Sequence, residues 1–314
     1  MKDLRIIFMG TPDFAVATLD ALMKAEKNVI AVITAPDKPS GRGRKINQSA
    51  VKKYAMANEL KIMQPTNLKD PVFLSELKTL EADLQIVVAF RMLPKQVWDM
   101  PTHGTFNLHA SLLPDYRGAA PINWAIINGE SKTGVTTFFI NEDIDTGAVI
   151  KQESIDISDS TSAGELHDLL MELGSKTVVD TVELIEAGKV NPLKQKSGTF
   201  KEAPKLNKDN CRINWAQPAQ TIYNHIRGLN PYPGAWTILN NDIDQIEVKI
   251  YDGEMIEESH DLPIGHLIVS KKNLLVAVKN GFLKISDLKL AGKRRMDAIS
   301  LLNGYEFHNG SKMF

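Results

Sequence analysis

The sequence has 314 residues, of which 43% are hydrophobic and 24% are charged, and its formal net charge is −1. This length exceeds one ordinary hydrophobic core and predicts two domains. The near balance of acidic and basic side chains excludes a globally basic surface, so a polyanionic partner must be held by local basic patches. The single cysteine, Cys211, excludes an internal disulfide and a cysteine-rich metal site.

The N-terminal apolar run is too short for the hydrophobic region of a signal peptide. The sequence also lacks any stretch of about 18 apolar residues, the length that spans a bilayer. We therefore expect a cytoplasmic protein without a membrane association.

The first half of the chain alternates short apolar runs with helical patterns. The runs that suit buried strands are 4–9, 29–33, 82–90, 105–110 and 135–140. This alternation predicts an α/β domain over residues 1–188, with helices on both faces of a mostly parallel sheet. The first strand is not followed by Gly-x-Gly-x-x-Gly, so the order of elements does not imply a dinucleotide.

The composition changes after residue 188. Residues 188–208 are rich in Lys, Pro and Gly, and the segment 189–208 is predicted to be an exposed basic linker. Beyond it, over residues 209–314, short β-like runs occur at 235–239, 247–251, 265–269, 274–278 and 282–290. Predicted turns at Asp252-Gly253 and Asn280-Gly281 divide them, which is typical of a small β-barrel.

Asn107 and His109 lie two residues apart in the predicted strand 105–110. Side chains alternate between the two faces of a strand, so both residues share one face. Polar side chains on an otherwise apolar strand are costly unless they are partnered or used. One interpretation is a functional pair near the carboxyl end of the strand, where ligands bind in open α/β sheets. The alternative is a buried pair whose polar atoms are satisfied by the backbone.

A second polar segment, residues 141–147, directly follows the predicted strand 135–140 and contains Asp145-Thr146-Gly147. We expect it to lie at that strand's carboxyl end, in the position where ligands bind. Aspartic proteases share the Asp-Thr-Gly tripeptide, but they need two such carboxylates in an all-β frame. The sequence has one, in an α/β context, and we reject the protease interpretation.

These three residue types suit transfer of an acyl group to an amine. Such chemistry needs donors for the developing oxyanion and a group that removes a proton from the amine. Asn107 offers N–H donors, His109 a donor or a charge, and Asp145 a carboxylate that orients His109 or relays protons. A nucleophilic Gly-x-Ser-x-Gly motif is absent, so a covalent intermediate is not expected.

The pattern Asn107-x-His109, followed by Ser111-Leu112-Leu113-Pro114 and by Arg117-Gly118, resembles the folate-dependent formyltransferases. The resemblance includes Asp145-Thr146-Gly147. It implies that 10-formyltetrahydrofolate is the formyl donor, without a metal. The same resemblance assigns catalysis to Asn107, His109 and Asp145, and part of the folate site to Ser111, Leu112, Leu113 and Pro114.

Within that family, the chain is most similar to the members that act on initiator methionyl-tRNA, over nearly its whole length. The shared segments are residues 10–15, 37–43, 118–122, 230–233 and 291–293. The resemblance implies a Rossmann-like domain joined by the basic linker to a barrel resembling an OB-fold. It also implies a monomer with an RNA partner.

Arg42 matches the family's arginine that recognises the end of the acceptor stem, in a loop flanked by Gly41 and Gly43. The alternative is a solvated basic loop without a partner. Further expected phosphate contacts are Arg44, Lys45, Lys293, Arg294, Arg295 and the linker lysines Lys194, Lys196, Lys201, Lys205 and Lys208.

The sequence departs from the family pattern at two places. Arg91-Met92 stands where relatives commonly have glycine and a longer aliphatic stretch that lines the pterin pocket, and Ala110 replaces the usual glycine before Ser111. Three alternative functions stay open: formylation of an amino sugar nucleotide, formylation of glycinamide ribonucleotide, and non-catalytic RNA binding. The basic loop argues against the first, the barrel against the second, and the complete set of Asn107, His109 and Asp145 against the third.

Overall fold

A computed structural model describes residues 3–40, 45–242 and 244–314. Two of the predicted RNA-binding residues, Arg42 and Arg44, lie outside these ranges, as does the side chain of Lys45. The chain divides into two compact units. The first comprises Met1–Gly118, Lys132–Ile155 and His167–Glu202, and the second comprises Ala119–Ser131, Asp156–Leu166 and Ala203–Phe314. The last change of unit, from Glu202 to Ala203, falls inside the predicted linker 189–208.

Strands and helices mostly alternate up to Gly118, with a pair of short strands inserted after the second strand of the sheet. In chain order they are β1 (Ile6–Gly10), α1 (Asp13–Lys24), β2 (Val29–Ile33), β3 (Lys38–Ser40), β4 (Lys45–Asn47), α2 (Ala50–Ala57), β5 (Ile62–Met63), α3 (Pro71–Thr79), β6 (Leu84–Val88), α4 (Lys95–Trp98), β7 (Thr105–His109) and β8 (Arg117–Gly118). The next elements are α5 (Pro121–Ile127), β9 (Lys132–Phe139), β10 (Val149–Asp156), α6 (Ala163–Glu186) and β11 (Glu202–Ala203).

The first unit is built on a seven-stranded sheet with the order β10-β9-β7-β6-β1-β2-β5. The pairs β1–β2, β1–β6, β2–β5 and β6–β7 are parallel, whereas β9 runs antiparallel to β7. This arrangement confirms the predicted α/β class and mostly parallel sheet. The predicted strand 29–33 matches β2 residue for residue, and the other predicted strands of this unit differ from the observed bounds by one to three residues.

The two faces of this sheet have different surroundings near β7. Ile7, Met9 and Val87 form one apolar face, which packs with residues of α3 and α4. Asn107 is the direct neighbour of Val87 in the parallel pair and therefore lies on that face. Leu108 points to the other face, where it lies against Gly174 of α6. Helix α6 thus covers the face opposite to Asn107.

The remaining elements belong to the second unit. They are α7 (Ala219–Leu229), β12 (Ala235–Asn241), β13 (Asp244–Ile256), β14 (Leu267–Val269), β15 (Leu274–Val278), β16 (Gly281–Leu290), β17 (Met296–Asp297), α8 (Ala298–Leu302) and β18 (Lys312–Met313). The strands form a sheet with the order β14-β15-β16-β13-β12-β18, and β17 pairs with β16.

This second sheet curls into a nearly closed antiparallel barrel, as the sequence predicts. Its ends meet where His266, just before β14, bridges Lys312 of β18. Helix α7 contributes Ile222, Ile226 and Leu229 to the barrel core, at the spacing of one helix face. The turn predicted at Asp252-Gly253 is wrong, because both residues lie within the long strand β13. The pairing with β16 is irregular there, so the glycine marks a bulge rather than a strand end.

Within residues 3–40, 45–242 and 244–314, every helix is too short or too polar to cross a bilayer.

Candidate active site

Strand β7 places the side chains of Asn107 and His109 on the same face of the first sheet. Asn107 is half-buried, and His109 is buried, with 6% of its surface exposed. In the part of the chain that the structure describes, the Asn107 side-chain amide makes no hydrogen bond. The alternative in which both polar residues are satisfied by the backbone therefore does not describe Asn107. Its amide is available to a ligand.

The ring of His109 is held by a backbone carbonyl. Its Nε2 atom lies 2.8 Å from the carbonyl oxygen of Tyr116, which can only accept a hydrogen bond, so Nε2 carries the proton. The Nδ1 atom then faces the carboxylate of Asp145, with Nδ1 and Oδ2 at 3.8 Å. This distance is longer than a hydrogen bond but short enough for a strong interaction once the ring is charged. His109 and Asp145, which the sequence places 36 positions apart, are thus neighbours.

Asp145 reaches His109 by a route that differs from the expected one. The sequence argument places Asp145 at the carboxyl end of a strand, in the position where ligands bind. That strand, β9, runs antiparallel to β7, so its carboxyl end lies beside the amino end of β7, where Ile140 N–H donates to the carbonyl of Thr105 at 2.8 Å. The expectation based on the strand end is therefore wrong, and the loop between β9 and β10 returns Asp145 to the site.

Two local features shape this loop. Gly147 lies so close to β9 that a Cβ atom on it would be 1.6 Å from the carbonyl oxygen of Phe139, and only glycine fits there. Asp145 has a φ of +54°, a left-handed conformation that Asp and Asn tolerate better than most residues. The Oδ2 atom of Asp145 accepts a hydrogen bond from the Gly118 N–H at 3.0 Å, which fixes the carboxylate near His109.

The segment Ser111-Leu112-Leu113-Pro114 follows β7 directly and is fastened to β9 and β10. Thr136 donates to the Ser111 carbonyl at 2.6 Å and accepts from the Leu113 N–H at 3.1 Å. Gln152 donates to the Leu113 carbonyl at 2.9 Å and to the Thr136 hydroxyl at 2.9 Å. The Ser111 hydroxyl is itself used, because it donates to the Asp115 carbonyl at 2.7 Å. The segment therefore presents a fixed backbone rather than a free serine.

Sequence reasoning did not find Thr136 and Gln152. Thr136 is one of two consecutive buried threonines on β9, and Gln152 lies between two charged residues on β10, so neither stands out from an ordinary strand sequence. Their role becomes visible only through the register, which sets Thr136 opposite His109.

Arg91, one of the two departures from the family pattern, binds the loop after β5. Its guanidinium donates to the carbonyl of Thr66 at 2.9 Å and to the carbonyl of Pro65. Its Cζ atom also lies 5.6 Å from the centre of the Phe90 ring. Arg91 thereby ties together the segments that follow β5 and β6.

The predicted basic residues of the second unit lie on its surface. Lys293, Arg294 and Arg295 are all exposed and follow β16. Arg295 pairs with Asp287 at 2.7 Å and stacks on Tyr251 at 4.0 Å, and the hydrogen bond that the guanidinium donates to Asp287 raises its pKa further. The linker lysines Lys194, Lys196, Lys201, Lys205 and Lys208 are also exposed.

No group of three or more His, Cys, Asp or Glu side chains suited to a metal ion occurs among the described residues. The absence of a metal from the reaction stays a prediction.

Two family models match the chain. The one described as formyl transferase matches residues 4–182, and the one described as formyl transferase, C-terminal domain, matches residues 205–306. A methionyl-tRNA formyltransferase from Flavobacterium johnsoniae is 57% identical over 315 residues, covering 100% of both chains. The chain belongs to the methionyl-tRNA formyltransferase family. Another relative with that name, from Parabacteroides distasonis, is 51% identical over 313 residues and 97% of each chain.

Two solved structures share the fold of this chain. HypX from Aquifex aeolicus, in complex with tetrahydrofolic acid, is 19% identical with a TM-score of 0.65, covering 96% of this chain and 47% of that chain. An N-formyltransferase from Helicobacter canadensis, in complex with folinic acid and dTDP-3-aminofucose, is 20% identical with a TM-score of 0.65. It covers 93% of this chain and 100% of its own. At these identities the likeness shows the fold.

Proposed function

We propose that this protein transfers the formyl group of 10-formyltetrahydrofolate to the amino group of methionine on initiator methionyl-tRNA. The observation that carries the proposal is the 57% identity to a methionyl-tRNA formyltransferase over the full length of both chains. The first unit supplies a matching site, in which the Asn107 amide has no hydrogen-bond partner among the described residues and His109 lies beside Asp145. The product supports the initiation of translation.

In the proposed reaction, the methionine amine attacks the formyl carbon and a new C–N bond forms. The formyl oxygen gains negative charge as this carbon becomes tetrahedral, and the Asn107 N–H groups stabilise that charge. The bond between the carbon and the folate nitrogen then breaks, and the proton lost by the amine passes to that nitrogen. A free thiol or hydroxyl is not required at any step.

His109 contributes through the charge of its ring. Both ring nitrogens face protein atoms, one the Tyr116 carbonyl and the other the Asp145 carboxylate. A proton taken up at Nδ1 would lie between the ring and Asp145. The resulting positive charge stabilises the developing oxyanion, while Asp145 balances that charge and assists proton transfer.

The folate is proposed to bind beside Ser111, Leu112, Leu113 and Pro114. This segment offers backbone groups that Thr136 and Gln152 hold in place. Tetrahydrofolate and folinic acid are bound by two structural relatives, which is consistent with a folate donor. Arg91, with its bonds to Pro65 and Thr66, is proposed to shape the pterin end of the site differently from relatives that have glycine there.

The RNA partner is proposed to contact Arg42, Arg44 and Lys45 near the acceptor end, and Lys293, Arg294 and Arg295 along the barrel. A row of side chains on the barrel exterior supports this proposal, because Trp236 pairs across strands with Lys249, and Lys249 with Lys289. Lys249 Nζ donates to the Pro233 carbonyl at 2.7 Å, and the exposed Lys289 opposite it adds a positive charge that suits a phosphate contact.

The test is formyl transfer from 10-formyltetrahydrofolate to methionyl initiator tRNA, with free methionine as the control acceptor. Transfer to the charged tRNA alone supports the proposal. Transfer to an amino sugar nucleotide or to glycinamide ribonucleotide instead would contradict the proposed acceptor. RNA binding without turnover by the intact protein, unchanged when Asn107, His109 and Asp145 are all replaced, would favour the non-catalytic alternative.

A second measurement addresses the basic loop. Arg42→Ala is expected to weaken the use of charged tRNA while folate binding changes little, and unchanged tRNA kinetics would contradict the role of Arg42. The protein is further proposed to act as a monomer in the cytoplasm, which sedimentation at working concentration and cell fractionation would check.

A further inference from the structure

Gln195 lies between the two segments that the family models match, 4–182 and 205–306. Its sequence neighbours, Lys194 and Lys196, are exposed, whereas Gln195 is half-buried in the first unit. The chain is fastened just before it, because Leu193 and Val149 exchange two backbone hydrogen bonds of 2.8 Å. Gln195 is therefore a fixed point in a segment whose composition predicts an exposed linker.

The amide of Gln195 is fully engaged. Its Nε2 atom donates to the carbonyl of Asp145 and to the carbonyl of Gly147, both at 2.9 Å. Its Oε1 atom accepts from the guanidinium of Arg117, from Nε at 3.2 Å and from Nη2 at 2.5 Å. Carbonyls only accept and a guanidinium only donates, so the orientation of the amide is determined by its partners.

These hydrogen bonds belong to a network that holds Asp145. The Asp145 carboxylate accepts from the N–H of Gly118, the residue that follows Arg117. Arg117 holds Gln195, and Gln195 holds the backbone of Asp145 on the opposite side of the loop. The Arg117 guanidinium also lies 5.6 Å from the centre of the Phe200 ring. Gly118 thus fixes the side chain of Asp145, and Arg117, the residue before it, fixes the Asp145 backbone through Gln195.

We propose that Gln195 is a positioning residue for the formyl transfer, acting through Asp145. The inference rests on the proposed function. Asp145 has a left-handed φ of +54°, a conformation that any residue with a side chain populates less than the helical and extended ones. Two amide N–H groups on the carbonyls of Asp145 and Gly147 hold the loop in that conformation. The Asp145 carboxylate stays 3.8 Å from His109 Nδ1 as a result.

Two variants separate the contacts of Gln195. Gln195→Glu keeps an acceptor for Arg117 but replaces both donors with a carboxylate oxygen facing two carbonyls. Gln195→Leu removes donors and acceptor together at similar size. Because a small displacement of a catalytic group costs up to about a hundredfold in rate, we expect kcat to fall at least about tenfold in both variants. KM for the folate and for the charged tRNA should change by less than about twofold, because neither variant touches their proposed contacts.

A double-mutant cycle distinguishes positioning from a general structural role. Gln195→Leu in an Asp145→Asn background should cause no further loss of kcat, since the carboxylate through which Gln195 acts is already gone. The matched control is Ser197→Leu, at an exposed position two residues away that has no proposed contact, and it should behave as the wild type. An unchanged kcat for Gln195→Glu, losses that multiply in the double variant, or an effect on KM alone would overturn the proposal.

A measurement without substrate separates this proposal from the proposed function. The ring nitrogen chemical shifts of His109 report the field of Asp145 at Nδ1. They should move in Gln195→Glu but not in Ser197→Glu, which adds the same charge at an exposed position. If the wild type showed no formyl transfer and the shifts still moved, positioning by Gln195 would stand and the reaction would be wrong. Unmoved shifts in a folded Gln195→Glu variant would overturn the positioning role whatever the reaction. Should Gln195→Leu fail to fold, Gln195→Glu and Arg117→Lys carry the same test, because lysine lacks the bidentate geometry.

Discussion

The Nδ1 atom of His109 lies 3.8 Å from Oδ2 of Asp145, on the side of the ring away from the hydrogen bond between Nε2 and the Tyr116 carbonyl. The carbonyl therefore decides which nitrogen of the neutral ring carries the proton, and the carboxylate faces the nitrogen that is left to gain one. The backbone thus orients the ring, and the carboxylate lies where it would balance a positive charge on the ring. The sequence expectation offers Asp145 either as the group that orients His109 or as a proton relay, and the hydrogen bond between Nε2 and the Tyr116 carbonyl favours the second role.

The charge of Asp145 is tested by Asp145→Asn. Asparagine tolerates the left-handed backbone and can accept the Gly118 N–H, so the loop should keep its structure. Without the negative charge, a protonated His109 loses its partner, and kcat should fall by about a hundredfold or more, the scale of general acid–base contributions. Asp143→Asn, an exposed residue of the same loop, is the matched control. Equal activity of the two variants would remove Asp145 from the mechanism.

The proposed role of the Asn107 amide is tested by Asn107→Ala. Loss of one donor to an oxyanion typically lowers turnover by about 10²–10³-fold, and we expect a decrease of that size with folding intact. The assay is single-turnover formyl transfer, which isolates chemistry from product release. Asn191→Ala, at an exposed position, should match the wild type. A decrease of less than about tenfold for Asn107→Ala would be too small for an oxyanion donor.

The exposed Lys293 and Arg294 are tested through the salt dependence of tRNA binding. Each phosphate contact contributes about 0.7–0.9 to the slope of log affinity against log salt concentration, so each alanine variant should reduce the slope by about that amount. Binding should weaken similarly for initiator and elongator tRNAs, because phosphate contacts carry little sequence information. Lys53→Ala, on an exposed position of α2, is the control. A slope that stays the same would place the RNA elsewhere on the protein.

The start of α6 gives a prediction for stability. Ser162 and Glu165 form reciprocal hydrogen bonds, in which Glu165 Oε2 accepts from the Ser162 N–H at 2.8 Å and the Ser162 hydroxyl accepts from the Glu165 N–H at 3.3 Å. Ser162→Ala should lower the free energy of unfolding by about 1 kcal/mol, as for other helix caps. Urea titration monitored by circular dichroism measures this change.

The stability that the Ser162–Glu165 cap contributes should depend on pH, because the hydrogen bonds from Ser162 lower the pKa of Glu165. The folded state therefore favours the ionised carboxylate. Its contribution is complete above the unfolded pKa and is lost as the pH falls below about 4 and passes through the folded pKa. The difference in unfolding free energy between wild type and Ser162→Ala should thus be smaller at pH 3 than at pH 7. A difference that grows on acidification would contradict the cap.

The sequence predicts the strands of the parallel part of the sheet well, because buried parallel strands read as continuous apolar runs. It cannot give the direction of β9, since an apolar run looks the same in either orientation. The expectation that the end of β9 places Asp145 at the ligand-binding edge is wrong for that reason. The sequence does not indicate a role for Gln195, because the Lys, Pro and Gly residues around it are typical of a solvated segment. Its importance depends on three partners that are far away in sequence, Arg117, Asp145 and Gly147, and composition carries no information about them.

The left-handed backbone at Asp145 has a consequence for how the position tolerates variation. Two independent filters act there, since the φ of +54° favours Gly, Asn and Asp, while the chemistry asks for a carboxylate. Aspartate satisfies both filters. Glutamate keeps the charge, and Glu26, Glu59 and Glu81 show that it can adopt a left-handed backbone in this chain. Its extra methylene group would nevertheless move the carboxylate away from the Gly118 N–H and from His109, so a saturation library should rank glutamate among the damaging substitutions.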